Sequence, residues 1–173
     1  LKLKKNLRLI DTTNLEFREL FKFNSIDNFT LIQSEDNKYF SNKNFEIVSK
    51  RRPNKSQFQN LIFAFNMCRY VKSNAIVIAS NKSTVGIGSG QPSRLDSCEI
   101  AINKMNKFTN PKNELVAASD AFFPFTDGIE KLIQSGITAV IQPAGSVRDK
   151  EIIKFVNDTD TVLVFSKTRH FRH

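Results

Sequence analysis

Four short apolar runs, NAIVIAS, ELVAASD, ITAVIQ and TVLVFS, recur between residues 74 and 166, with stretches of helical apolar spacing between them. Each run is apolar at successive positions rather than alternate ones, so as a strand it must be covered on both faces. TVGIG follows the first run after a short turn and reads as its hairpin partner. The intervening segments supply the cover. Phe58, Leu61, Ile62, Phe65 and Cys68, continuing to Val71, fall at three- and four-residue steps and predict a helix over residues 53–70. Leu95, Cys98, Ile102 and Met105 mark the inward stripe of a second helix, TDGIEKLIQSG a third closed by Gly136, and DKEIIKFVND a fourth. This order predicts an α/β three-layer sandwich with a mixed sheet. Residues 1–52 carry only short apolar stretches (LRLI, FTLI, FEIV) between polar turns. They are expected to be a leading segment of short strands, with residues 53–173 forming the domain.

At 173 residues the chain can bury one sizeable core, and 40% hydrophobic residues with 16 phenylalanines argue against disorder. The formal charge of +9 and a pI near 9.7 favour anionic partners: nucleic acid, a phosphorylated metabolite or a polyglutamate tail. The basic residues are scattered, and no aromatic-interleaved basic motif occurs, so nucleic acid is not the expected partner. No apolar run approaches the roughly 18 residues that span a bilayer, and LKLKKNLRLIDTTN has no long apolar signal-like core. Neither membrane insertion nor secretion is expected. Cys68 and Cys98 both sit on helix stripes and are expected to be buried thiols; with His170 and His173 as the only histidines, no zinc site is expected.

In α/β sheets, ligands gather beyond the carboxyl ends of strands, which directs attention to four loops. In GIGSGQPSR, Gly86, Gly88 and Gly90 permit tight turns and Ser93 can cap the next helix, with Arg94 beside its free N–H groups. Without a Walker lysine, a plain glycine hairpin and helix cap explains this loop as well as an anion site does. SDAFFPFTDG places three phenylalanines around a proline, bracketed by Asp120 and Asp127. It suits either a flat apolar slot with an acidic end, fit for a planar heterocycle, or core anchors followed by a helix-terminal charge. QPAGSVRD is a small-residue turn in which a ligand can approach the backbone, or a turn capped by Asp149. The terminal TRHFRH carries arginines suited to phosphate or carboxylate, although chain ends are usually frayed.

The strings KSNAIV, VGIGSGQPSR, SDAFFPFTDG, GITAVIQPAGSVRD and RHFRH, in this order and at about these spacings, resemble the AICAR transformylase domain of bifunctional purine biosynthesis proteins. The resemblance is strong over residues 53–173 and faint over 1–52. It implies a cytidine-deaminase-like fold without zinc, of which the chain supplies the carboxy-terminal unit. It also implies a cytoplasmic, homodimeric enzyme class that transfers a formyl group from 10-formyltetrahydrofolate to AICAR in purine biosynthesis.

Carried over residue by residue, the resemblance makes Asn74 a substrate-positioning group near the reacting centre. Arg94, Phe122 and Arg169 become AICAR-binding residues. Leu95, Asp127, Ser146 and Val147 become folate-contacting positions. The family's catalytic Lys-His-x-Asn-Pro motif is absent, so the base would come from the remaining transformylase unit, in cis or in trans. Thr126 stands where an arginine is common and Pro92 where methionine or glutamine is usual. The alternative expectation is a non-catalytic nucleotide- or folate-binding relic or assembly module.

Overall fold

A computed structural model describes residues 8, 10–14, 21–107 and 114–173. The chain divides into two compact units, Leu1–Glu35 and Asp36–His173. In the first, β1 (Phe21–Ile26) and β2 (Phe29–Ser34) pair antiparallel from Phe21↔Ser34 to Ile26↔Phe29. Asp27 takes φ 50° in the turn between them, a left-handed conformation that a short polar side chain tolerates. The FTLI stretch is thus a strand, whereas Leu7 and Leu9 of LRLI lie outside the described residues. β1 was not among the expected strands, because FKFNSI lacks a continuous apolar run.

The second unit holds a six-stranded sheet in the order β3-β8-β7-β6-β4-β5. Its strands are β3 (Phe45–Ile47), β4 (Ile76–Ser80), β5 (Ser83–Gly88), β6 (Leu115–Ser119), β7 (Ile137–Pro143) and β8 (Val162–Ser166). β6, β7 and β8 run parallel; β3 on β8, and β4 on both β6 and β5, run antiparallel. The sheet is mixed, as expected. FEIV supplies its β3 edge, so part of the leading segment packs as sheet and the compact unit begins at Asp36.

Four helices cover the sheet: α1 (Lys55–Cys68), α2 (Arg94–Met105), α3 (Asp127–Gln134) and α4 (Asp149–Asp158). Strand pleating decides which side chain meets which helix. Val77, Ala79, Val116, Ala118, Ala139, Ile141, Val162 and Val164 join Leu61, Ala64, Phe65 and Cys68 of α1 in one core. Ile76, Ile78, Ala117, Val140, Leu163 and Phe165 join residues of α2, α3 and α4 in the other. Hence there are three layers, with α1 alone on one side. Cys68 and Cys98 lie in different cores and are free, so no disulfide can join them. Burial raises both thiols, Cys98 to about 12, which keeps them protonated and poor nucleophiles at neutral pH.

α1 starts later than the apolar pattern suggested because Asn54 caps it. Gln57 N–H donates to Asn54 Oδ1 at 2.8 Å and Asn54 N–H to Gln57 Oε1 at 3.0 Å, a reciprocal arrangement worth about 1 kcal/mol. Its buried face also differs from expectation. Phe58 and Ile62 are half-buried, whereas Asn60 and Asn66 are buried because their amides satisfy loop backbone. Asn66 exchanges two 2.9 Å hydrogen bonds with the Phe40 backbone, and Asn60 Oδ1 accepts from Lys82 N–H at 2.8 Å. In α2, Ala101 rather than Ile102 is fully buried.

Gly86 and Gly88 are strand residues and not turn residues. A Cβ at Gly88 would meet Ser97 O at 1.8 Å, and one at Gly86 would meet Ala101 O at 2.1 Å. The two glycines thus let α2 rest directly on the β5 backbone. Only Gly90 of this loop takes a positive φ, 68°. Gly136 has φ 94° just past α3, as the expected helix stop requires.

The terminal tail is anchored rather than frayed. His170 N–H donates to Asp120 O at 2.9 Å, Ser73 N–H to Arg172 O at 2.9 Å, and Arg172 N–H to Ser73 Oγ at 3.1 Å. The His170 ring is fully buried, 4.4 Å from the Phe65 ring centroid and 4.9 Å from that of Phe40, with Nδ1 2.5 Å from Asp36 Oδ2. Burial lowers its pKa below the ordinary 6.5 more than Asp36 raises it.

Gly88→Ala forces β5 and α2 apart, and we expect it to cost about 3 kcal/mol of unfolding free energy in denaturant titrations. His170 gives a pH signature. As pH falls, the unfolded chain binds the proton first, so this contribution is complete above about 6.5 and declines as pH drops through the lower folded value. His170→Gln should flatten that part of the stability profile, read from thermal midpoints across pH.

Candidate functional site

The strand directions put five segments at one edge of the sheet. The turns after β6, β7 and β8 lie at the carboxyl ends of parallel strands, and the turn after β5 joins them because β5 reverses twice relative to β6. β4 runs the other way, so its leading segment, with Ser73 and Asn74, reaches this edge and its trailing turn at Asn81 and Lys82 does not. The expectation that ligands gather beyond the carboxyl ends of strands is thus corrected for β4 by strand direction.

A cleft of about 460 Å³ opens at this edge. Its lining includes Asn74, Arg94, Leu95, Phe122, Asp127 and Arg169, six of the eight residues singled out from sequence. Ser146 and Val147 do not line it. Val147 is fully exposed, and Ser146 Oγ accepts from Arg148 N–H at 3.2 Å within its own turn. That turn still adjoins the cleft, since a Cβ at Gly145 would lie 3.7 Å from Arg169 Nη2. Asp149 closes the turn by accepting Gly145 N–H at 2.8 Å rather than capping α4.

The phenylalanine-rich loop divides its rings between the core and the cleft. Phe123 is core, packed so closely that a Cβ on Gly128 would come 2.7 Å from its ring, and its N–H donates to Gln142 Oε1 at 3.2 Å. Phe122 and Phe125 face the cleft, and each ring carries a guanidinium: Arg169 Cζ lies 4.7 Å from the Phe122 centroid and Arg148 Cζ 4.6 Å from that of Phe125. Asp127 opens α3 with Oδ1 accepting Gly128 N–H at 2.7 Å; it is exposed and retains its other oxygen for the cleft.

The second acid of this loop behaves differently. Asp120 is wholly buried and bonded to Arg94 at 2.5 Å, so it cannot form the acidic end of the slot. Arg94 Nη1 also donates to Ser119 Oγ at 2.7 Å, and Nη2 to Asn74 Oδ1 at 2.7 Å. At most two of its five N–H donors remain for a bound molecule, and its charge is cancelled locally. Losing either partner of such a buried pair costs about 3–5 kcal/mol. Arg169 is the contrasting cation: it is exposed and makes no ion pair among the described residues.

Sequence reasoning missed Phe171, which lines the cleft, and the inward linkage of Ser73, Ser119 and Asp120. In the tail, His170 points into the core while its neighbours Arg169 and Phe171 reach the cleft. That alternation, read as an extended strand-like segment, was the available signal. Ser93 caps α2 as expected, its Oγ accepting Asp96 N–H at 3.4 Å. Neither histidine lines the cleft. Among the described residues no group of three or more His, Cys, Asp or Glu could hold a metal ion, and no helix is long and apolar enough to cross a membrane.

Comparison with known proteins adds an independent line. The sequence profile of the AICARFT/IMPCHase bienzyme family matches residues 1–104. The chain is 44% identical, over its full length, to the bifunctional purine biosynthesis protein PurH of Buchnera aphidicola subsp. Schizaphis graminum. Over 98% of its length it is 42% identical to the PurH of Aquifex aeolicus and 43% identical to that of Caldicellulosiruptor saccharolyticus. In each case it spans 33% of the relative, so the chain corresponds to about a third of these proteins. Identity at this level along nearly the whole chain, together with the family match, carries one conclusion: the chain belongs to the AICARFT/IMPCHase bienzyme family.

Proposed function

We propose that the chain is the carboxy-terminal part of an AICAR formyltransferase and that its cleft holds AICAR beside 10-formyltetrahydrofolate. The observation that carries this reading is the meeting of Asn74, Arg94, Phe122, Asp127 and Arg169, drawn from four separate segments of the chain, around one cleft. Residues 53–173 would form a cytidine-deaminase-like unit, with 1–52 leading into it and 36–52 contributing the sheet edge. A cytoplasmic location and a homodimer accord with the same reading.

The chemistry fits the groups present. The AICAR amine attacks the formyl carbon, an oxyanion forms on the formyl oxygen, and collapse breaks the bond to folate nitrogen while the amine proton passes to that leaving nitrogen. Phe122 offers a face for the imidazole, and Arg169 an unpaired charge for an anionic group of the nucleotide. Asp127 can accept from the paired N–H groups of a pterin, and Leu95 adds apolar contact. Ser146 and Val147 lie outside the cleft wall, so their part in folate binding would require the 145–148 turn to fold over a bound molecule. Among the described residues no histidine lines the cleft to act as the base. It would come from the remaining transformylase unit, in cis or in trans. That same observation favours a second reading, a nucleotide- or folate-binding module without catalysis of its own.

Calorimetric titration with AICAR tests the first reading: we expect binding, weakened about tenfold in Arg169→Ala, with an unfolding midpoint close to wild type because Arg169 is exposed and makes no ion pair among the described residues. Absence of any AICAR binding would reject the nucleotide site. Formyl transfer assayed with and without a Lys-His-containing partner separates the readings. Transfer only on mixing supports a piece of the enzyme, and none under either condition supports the non-catalytic module.

A further inference from the structure

Asp120 stands just beyond β6 with its carboxylate removed from solvent, and every polar atom it has is engaged. Oδ1 receives Arg94 Nη1 at 2.5 Å and Oδ2 accepts the Ser73 hydroxyl at 2.6 Å. Its N–H donates to Ala75 O at 3.2 Å, and its carbonyl accepts His170 N–H at 2.9 Å. The carboxylate is thus a fixed acceptor, and the guanidinium it holds has a fixed plane. Arg94 Nη2 then presents a donor to Asn74, so the amide oxygen of Asn74 must face it. Both Asn74 Nδ2 hydrogens are directed at main-chain carbonyls, Gln91 O and Pro92 O, each at 2.9 Å. What the side chain retains for the cleft is the second lone pair of Oδ1.

We infer that Asp120 is a positioning residue: through Arg94 it holds the Asn74 amide with only an acceptor available, so the cleft selects a ligand bearing an N–H donor, such as an amine, at that point. The identity of the ligand rests on the nucleotide reading above; the positioning does not. Reversing the amide would set Nδ2 against the Arg94 donor and Oδ1 against two carbonyls, three repulsive contacts in place of three hydrogen bonds.

The test uses the full chain and two probes that differ by one amino group, 5-aminoimidazole-4-carboxamide ribonucleotide and imidazole-4-carboxamide ribonucleotide. We expect the wild type to favour the amine about tenfold, the value of one well-placed hydrogen bond, and Asp120→Asn, which leaves the two carbonyl bonds of Asn74 Nδ2 in place, to reduce that ratio. Affinity for the desamino probe should change much less, which general loosening of the fold would not produce. In parallel, the side-chain N–H pair of Asn74 in nitrogen-15 spectra should shift or broaden in the variant. A folded Asp120→Asn with the wild-type ratio and unmoved Asn74 signals overturns the inference. If that variant does not fold, Ser73→Ala, which withdraws only the hydrogen bond on Oδ2, carries the comparison: moved Asn74 signals and a reduced ratio support the inference, and neither change overturns it. Should the wild type bind neither probe, the nucleotide reading fails alone, and the Asn74 signals still decide the positioning.

Discussion

A carboxylate without exposed surface costs several kcal/mol to desolvate unless each of its oxygens finds a donor, and Asp120 meets that condition only because separate stretches of chain converge on it. Arg94 comes from the start of α2, Ser73 from the lead into β4, and His170 from the tail. If any one is withdrawn, a buried charge or a backbone group is left unsatisfied. The cleft is the outer surface of this node. Asn74 is oriented by Arg94, and Arg169 is placed because the next residue, His170, is fixed from within.

The sheet makes such convergence possible. With helices on both faces, its four central strands are almost wholly buried and open chiefly at their ends, so polar side chains that must meet do so at an end. β6 to β8 run parallel and deliver three turns there, while the antiparallel β4 delivers its leading segment instead. Gly86 and Gly88 let α2 lie against the β5 backbone, which sets where Arg94, at the first turn of that helix, stands. A packing constraint on one strand therefore bears on the electrostatics of the cleft.

Much of this was legible in the residues. Continuous apolar runs specified buried strands, three- and four-residue spacing specified the helices, and motif resemblance identified Asn74, Arg94, Leu95, Phe122, Asp127 and Arg169, which line one cleft. Harder to read were roles that depend on distant partners. Asp120 and Asp127 have the same chemistry and lie in the same loop, yet one is sealed in an ion pair and the other is exposed. Asn60 and Asn66 look like helix surface until the loops that need their amides are in place. Gly86 and Gly88 fell both in the expected TVGIG strand and in a loop read for tight turns, and nothing local revealed the helix pressing on them.

Layer order, the mixed sheet and the chemical inventory of its loops follow from the sequence itself, because periodicity and composition act over a few residues. The direction of β4, the inward commitment of Arg94 and the anchoring of the tail belong to the tertiary structure. Each depends on contacts between residues up to 134 positions apart, as with Asp36 and His170. Burial of a charge is settled only when all the chain segments around it are assembled.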